Sequence, residues 1–279
     1  MKKGFFSVLF TMAASMLFLS CGQKASGSDT VEAESAVPTP EAEIVWIEDK
    51  PGPTLQGHNI FPTVPDTLWE SLGLQEGVPS SISCFLLKAD GKNILVDAGL
   101  GLPNSMLQSK LNESGVCADS LELIFISHMH GDHIGGMLAG DEVVFPNAEV
   151  YINRLEAEAW LAMSDDRSAQ AKKVLEAYKD RLHYFEAGDT LPGGVATIAA
   201  YGHTPGHTVF QKDNLLIIAD LLHGAALQLE HPEYCPFFDM DPEAATEARI
   251  RILEYARQNQ LTMYGMHLPA PGSIQFTIE

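Results

Sequence analysis

Leu121-Glu122-Leu123-Ile124-Phe125-Ile126-Ser127-His128-Met129-His130-Gly131-Asp132-His133 is the stretch that decides how this chain is read. Its first half is a short apolar run that predicts a buried strand over 121–126. The last six residues carry three imidazoles and a carboxylate. Side chains of an extended segment alternate, so His128 and His130 can face the same way. Gly131 lets the backbone turn, and a helix is expected to begin at 134–138. Asp132 and His133 then lie near a helix N-terminus, where the dipole favours a carboxylate. Four metal-capable side chains in six residues describe a polar cup at the end of a strand, which packing alone does not explain.

Three later segments repeat this placement. Tyr201-Gly202-His203-Thr204-Pro205-Gly206-His207-Thr208 is a tight turn with two histidines. Ile217-Ile218-Ala219-Asp220 ends an apolar run in a carboxylate, and Met263-Tyr264-Gly265-Met266-His267 ends a short run in a histidine. Strand ends are where an α/β scaffold presents catalytic groups, because the loops there converge on one edge. Elsewhere, Ile82–Ala89 and Asn93–Asp97 flank Asp90-Gly91-Lys92, a hairpin signal. Pro103–Asn112 has helical spacing with proline at its first turn. Val150–Ile152, Val195–Tyr201 and Leu215–Ala219 read as strands, and 154–163 and 168–181 as helices. Pro242–Gln258 is a long amphipathic helix with Asp241 as N-cap and Glu243 and Glu247 in its first turns. Hairpins first and alternating elements later imply mixed sheets covered by helices.

The 279 residues begin with Lys2 and Lys3 ahead of an apolar run from Phe5 to Leu19. That run is shorter than the roughly 20 residues a spanning helix needs, so residues 1–20 are expected to be a secretory signal. Cys21 after Leu17-Phe18-Leu19-Ser20 resembles the acylated cysteine of bacterial lipoproteins. Residues 21–43, rich in Ser, Ala, Glu, Thr and Pro, read as a lipidated cysteine and a disordered tether. The expectation is an exported bacterial lipoprotein at the periplasmic face or the outer membrane, touching membrane only through its anchor. Residues 44–279 suffice for one domain with an ample core. Cys84, Cys117 and Cys235 have no metal-like spacing and imply no disulfide framework. A formal charge of −20 repels phosphate backbones and disfavours nucleic acid as a partner.

Over roughly residues 80–270 the chain resembles the metallo-β-lactamase superfamily. The matching residues are the H-x-H-x-D-H run 128–133, His207 in G-H-T-P-G-H-T, Asp220 and His267. The resemblance implies an αββα sandwich with a dinuclear site at the sheet edge. It places one metal on His128, His130 and His207, a second on Asp132, His133 and His267, and Asp220 between them. His203 is expected behind the ligands or within the turn, and Asp97 behind the site as an orienting carboxylate. Two divalent ions are implied, zinc suiting nitrogen and oxygen ligands best, with manganese, iron or cobalt as alternatives.

The same resemblance separates branches. The family's β-lactamases carry cysteine where Asp220 stands, and its flavodiiron members carry glutamate where His130 stands. Leu221–Gln228 and His267–Gly272 are similar to methyl parathion hydrolase-like enzymes, relatives of the acyl-homoserine lactone lactonases. Lactonases usually have tyrosine where this chain has His223. Two metals about 3.5–4 Å apart acidify a bridging water, so the expected reaction is attack of hydroxide on a neutral ester, lactone or phosphotriester. His223 would donate to the acceptor oxygen or leaving group, and Asp132 would relay a proton. Pocket walls are expected around Asn59-Ile60-Phe61 and Phe237-Phe238. The alternatives are a glyoxalase II-like thioesterase and a non-catalytic metal-binding lipoprotein. A small-molecule substrate is implied in either enzymatic case. The oligomeric state stays open, a dimer included.

Overall fold

The computed structural model describes residues 42–164 and 166–276. The expected signal, Cys21 and nearly all of the tether lie outside them. Asp90 and Gly91, with φ of +49° and +74°, form the two-residue loop between strands Ser83–Ala89 and Lys92–Val96. Positive φ at both central residues is the turn whose twist matches paired strands. Strand Leu123–Ile126 then runs parallel to Lys92–Val96. The first six-stranded sheet has the order 43–48, 83–89, 92–96, 123–126, 149–153, 182–185. Strand 83–89 is antiparallel to both its neighbours, 43–48 and 92–96, and the later pairs are parallel.

The second sheet has the order 190–191, 195–199, 208–212, 215–219, 262–265, 273–275, with one parallel pair between 215–219 and 262–265. Alternation along the strands sorts the core into layers. Phe85, Leu87, Val96 and Phe125 of the first sheet meet Val195, Phe210 and Ile217 of the second. The opposite faces look outward: Leu86, Leu95 and Ile124 pack under helices Leu107–Glu113, Arg154–Ala162 and Ala169–Ala177. Leu216, Ile218 and Met263 pack under helix Pro242–Gln258, whose N-cap Asp241 accepts the Ala244 N–H at 3.1 Å. The result is the expected αββα sandwich. No helix of the described residues is long and apolar enough to cross a membrane.

Several boundaries differ from expectation. The helix expected from Pro103 starts at Leu107, because Asp49 accepts the Leu100 N–H and the Ser105 hydroxyl and holds the preceding segment in a loop. The helix after the histidine loop is a single turn, Gly131–Ile134, that begins inside the motif. It ends at Gly135 and Gly136, where a Cβ would lie 2.1 Å from the carbonyl oxygens of Leu100 and Ala98. Only glycine permits that approach, which presses loop 97–101 against the histidines. Strand 208–212, out of the histidine turn, was not expected from the sequence. Cys84, Cys117 and Cys235 are all free thiols.

Candidate metal centre

His128 and His130 leave strand Leu123–Ile126 at the rim shared by the two sheets. Asp220 follows strand Leu215–Ala219, and His267 follows strand Thr262–Gly265. His203 stands in the turn between strands Val195–Ala199 and Thr208–Lys212. His128 Nε2, His130 Nδ1 and His203 Nε2 form a triangle with sides of 3.0, 2.9 and 3.2 Å. Asp220 Oδ2 lies 3.3 Å from His203 Nε2 and 3.7 Å from His128 Nε2. Three ring nitrogens in a mutual triangle cannot all be paired by hydrogen bonds, since each proton serves one edge. Four ligands at about 2.0–2.1 Å from a tetrahedral zinc stand about 3.3–3.4 Å apart, close to this spacing.

A second set adjoins the first. His133 Nε2 is 3.0 Å from Asp220 Oδ1 and 3.8 Å from Asp132 Oδ1. His267 Nε2 is 3.4 Å from Asp132 Oδ2 and 3.2 Å from Asp220 Oδ2. Asp220 therefore contributes to both sets, one oxygen facing His133 and the other facing His128, His203 and His267. Buried His133 Nε2 and Asp220 Oδ1 have no hydrogen-bond partner despite their closeness. Two orphaned polar atoms aimed at a common point are what a cation satisfies.

The outward ring nitrogens reinforce this fit. His128 Nδ1 meets Ser127 Oγ at 3.0 Å, and His133 Nδ1 meets Asp97 Oδ2 at 2.7 Å. His203 Nδ1 meets Asp239 Oδ1 at 2.8 Å, and His267 Nδ1 meets the Ser81 carbonyl at 2.9 Å. Such partners set the tautomer and leave the other nitrogen for a metal. Asp97 takes the orienting place expected of it, with φ of +61° and the Ser127 N–H and hydroxyl also on its carboxylate. Burial and the charge of neighbouring His203 push His130 down to about 3, so its ring is neutral and its lone pair available. Burial alone would raise Asp220, but the surrounding imidazoles hold it well below the ordinary carboxylate range.

One assignment is corrected. The resemblance gave His207 to the first metal, whereas the structure puts His203 in that position and leaves His207 out of every cluster of potential ligands among the described residues. His207 Nδ1–H donates to the Ala200 carbonyl at 2.9 Å, and its Nε2 accepts the Asp220 N–H at 3.2 Å. Both nitrogens are thus consumed in tying the turn to the strand that ends at Asp220. Burial, with His203 beside it, pushes this ring down to about 3. His203 is instead aimed at the cluster by Asp239, and Asp239 is held by Arg249 at 3.3 Å. Burial disfavours charge on His203, but the bonds to Asp220 and Asp239 outweigh it and raise the ring to about 9.

A cavity of about 400 Å³ opens over the cluster, walled by Thr54, Gln56, Ile60, Ile82 and Phe238 and floored by His130, Asp132, Asp220, His223 and His267. Of the expected walls, Ile60 and Phe238 are present. Phe61 is instead packed with Trp69 and Val78 in a small core, and Phe237 faces an adjoining cavity. His223 is buried, with Nε2 3.0 Å from Asp220 Oδ2 and Nδ1 without a partner. Burial lowers it to about 4 even though Asp220 opposes the shift. Thr54, Gln56, Ser81, Glu156, Asp239 and Arg249 were not legible as site residues, since each is an ordinary polar residue placed by a distant part of the chain.

Residues 77–267 match the family model of the metallo-beta-lactamase superfamily, and the chain belongs to that superfamily. Among solved structures it is similar to AidC, a dizinc quorum-quenching lactonase in complex with a product, N-hexnoyl-L-homoserine. That match has a TM-score of 0.77 and 25% identity over 87% of this chain and 93% of the other. It is also similar to AbOPH, a hydrolase in the beta lactamase superfamily, with a TM-score of 0.74 and 26% identity over 85% and 91%. Among curated proteins, ribonuclease Z of Saccharolobus islandicus is 39% identical over 70 residues, 24% of this chain. The match spans 22% of that relative's length.

Proposed function

We propose that the protein is a metal-dependent hydrolase of neutral esters, lactones or phosphotriesters. The observation that carries this reading is one buried carboxylate, Asp220, shared by two sets of ligand atoms beneath a largely apolar cavity. His128, His130, His203 and Asp220 would hold one divalent cation, and Asp132, His133, His267 and Asp220 the other, zinc being the best match to these donors. Such a pair supplies Lewis acidity and an acidified water at neutral pH. The chain's own groups do the rest. Ile60, Ile82 and Phe238 exclude bulk water and accept an uncharged substrate. A polyanion would meet the carboxylates of Asp132 and Asp220 and the chain's −20 net charge. His223 lines the cavity floor with its Nε2–H held on Asp220 Oδ2, where that N–H is placed to donate to the acceptor oxygen or the leaving group. Asp132, half-buried at the cavity floor, is the carboxylate placed to take up a proton.

Similarity to a lactonase and to a hydrolase over most of the chain supports the ester and lactone part of this reading. The test is metal analysis with a substrate panel: a neutral lactone, an aryl ester, an aryl phosphotriester and a glutathione thioester. Two metals per chain and turnover of one of the first three are expected, and Asp220→Ala should lower kcat/KM by about a thousandfold. Two bound metals with no turnover would sink the hydrolase reading, and preference for the thioester would move it to a glyoxalase II-like activity. Export as a lipoprotein belongs to the same proposal, supported by the sequence of residues 1–21. Palmitate labelling that disappears in Cys21→Ala is its expected signature, and labelling that persists would overturn it.

A further inference from the structure

Glu156 lies in the first turn of helix Arg154–Ala162 and is 0% exposed. Nothing in the proposed chemistry uses it, yet four donors converge on its carboxylate. Oε1 accepts the Met129 N–H at 2.9 Å and the Trp160 Nε1–H at 2.6 Å. Oε2 accepts the Thr204 hydroxyl and the Gly206 N–H, both at 2.7 Å. Met129 stands between His128 and His130, and Thr204 and Gly206 follow His203. One buried carboxylate therefore bridges the loop of the first sheet to the turn of the second. The contact is close enough that a Cβ on Gly206 would lie 2.4 Å from the Glu156 nitrogen.

We infer that Glu156 is a positioning residue that fixes how far apart His128, His130 and His203 stand. It thereby governs the affinity of the cation site those three build with Asp220. The inference rests on the two-cation reading. It is selective, because the other set is oriented elsewhere: His133 by Asp97, and His267 by the Ser81 carbonyl. A carboxylate is required at this point. All four partners donate, and an amide would present its own N–H groups to two of them.

The test is stepwise zinc titration of the full-length protein against a chromophoric chelator, with cobalt absorption spectra as a second readout. The unsubstituted protein should show two affinities per chain. Glu156→Gln should weaken one of them by about tenfold or more and leave the other within about twofold. Its cobalt spectrum should change for that site alone. Thr204→Val, which removes one donor and keeps the carboxylate, should shift the same affinity in the same direction by less. Equal weakening of both sites, or a lower melting temperature with both affinities intact, would overturn the inference. If Glu156→Gln does not fold, Thr204→Val decides, and unchanged affinities overturn it. Fewer than two metals on the unsubstituted protein would show instead that the two-cation reading had failed.

Discussion

The loop 128–133 and the turn 201–208 both carry histidines to the same rim, and they do so by different means. In the loop, three imidazoles and Asp132 all contribute potential ligand atoms. In the turn, His203 contributes and His207 does not, although the two are only four residues apart. The loop leaves a buried strand and enters a one-turn helix whose first residue is Gly131, so local geometry sends its side chains to one side. The turn has no such internal rule. Its histidines are sorted from outside: Asp239 and Arg249 claim the Nδ1 side of His203, while the Ala200 carbonyl and the Asp220 N–H claim both nitrogens of His207. A ligand motif read from spacing is therefore secure where the backbone aims the side chain, and open where its neighbours do.

Exchanging the two turn histidines for alanine is the sharpest way to break that comparison. His203→Ala should lower bound metal toward about one per chain and kcat/KM by about a hundredfold or more, read by metal analysis and steady-state kinetics. Two retained metals in that variant would return the ligand role to His207. Asp239→Asn keeps the ring but alters its partner, and metal affinity at one site should fall by about 10–100-fold in a chelator competition. His207→Ala should keep both metals while costing about 1–3 kcal/mol in urea unfolding, since the Asp220 N–H and Ala200 carbonyl lose their partner.

The smallest effect lies just beyond the loop, at Met137. Tyr178 donates its hydroxyl to the Met137 carbonyl at 2.9 Å and accepts the Phe145 N–H at 3.3 Å. Burial pushes its phenol up to about 12. Between about pH 10, where an unfolded tyrosine ionises, and pH 12, the unfolded chain releases a proton that the folded chain keeps. The unfolded state then binds fewer protons, so stability should fall as pH rises through that window and level off above it. Urea unfolding of Tyr178→Phe should lack this component, and an unchanged alkaline slope would assign it to other groups.

Much of the molecule was legible before folding was considered. The Asp90-Gly91 hairpin, the strand at 121–126 and the helix at 242–258 follow from turn chemistry, apolar runs and capping, all of them local. The sequence also pointed to six of the ligand positions now clustered: His128, His130, Asp132, His133, Asp220 and His267. The start of the helix at Leu107 was not legible, because Asp49 arrives from 51 residues away to hold Leu100. The cavity wall made by Thr54, Gln56 and Ile82 was hidden for the same reason.

By itself, the sequence determined that this chain makes a helix-covered sheet pair with a cluster of imidazoles and carboxylates at strand ends. Periodicity and residue chemistry act over a few residues and survive without knowledge of the fold. Only the tertiary structure decided which histidine of the turn joins the cluster, and which polar residues orient it. Those choices depend on Glu156, Asp239 and Arg249, whose partners lie on other segments of the chain. Hydrogen-bond geometry across such distances has no signature in local spacing.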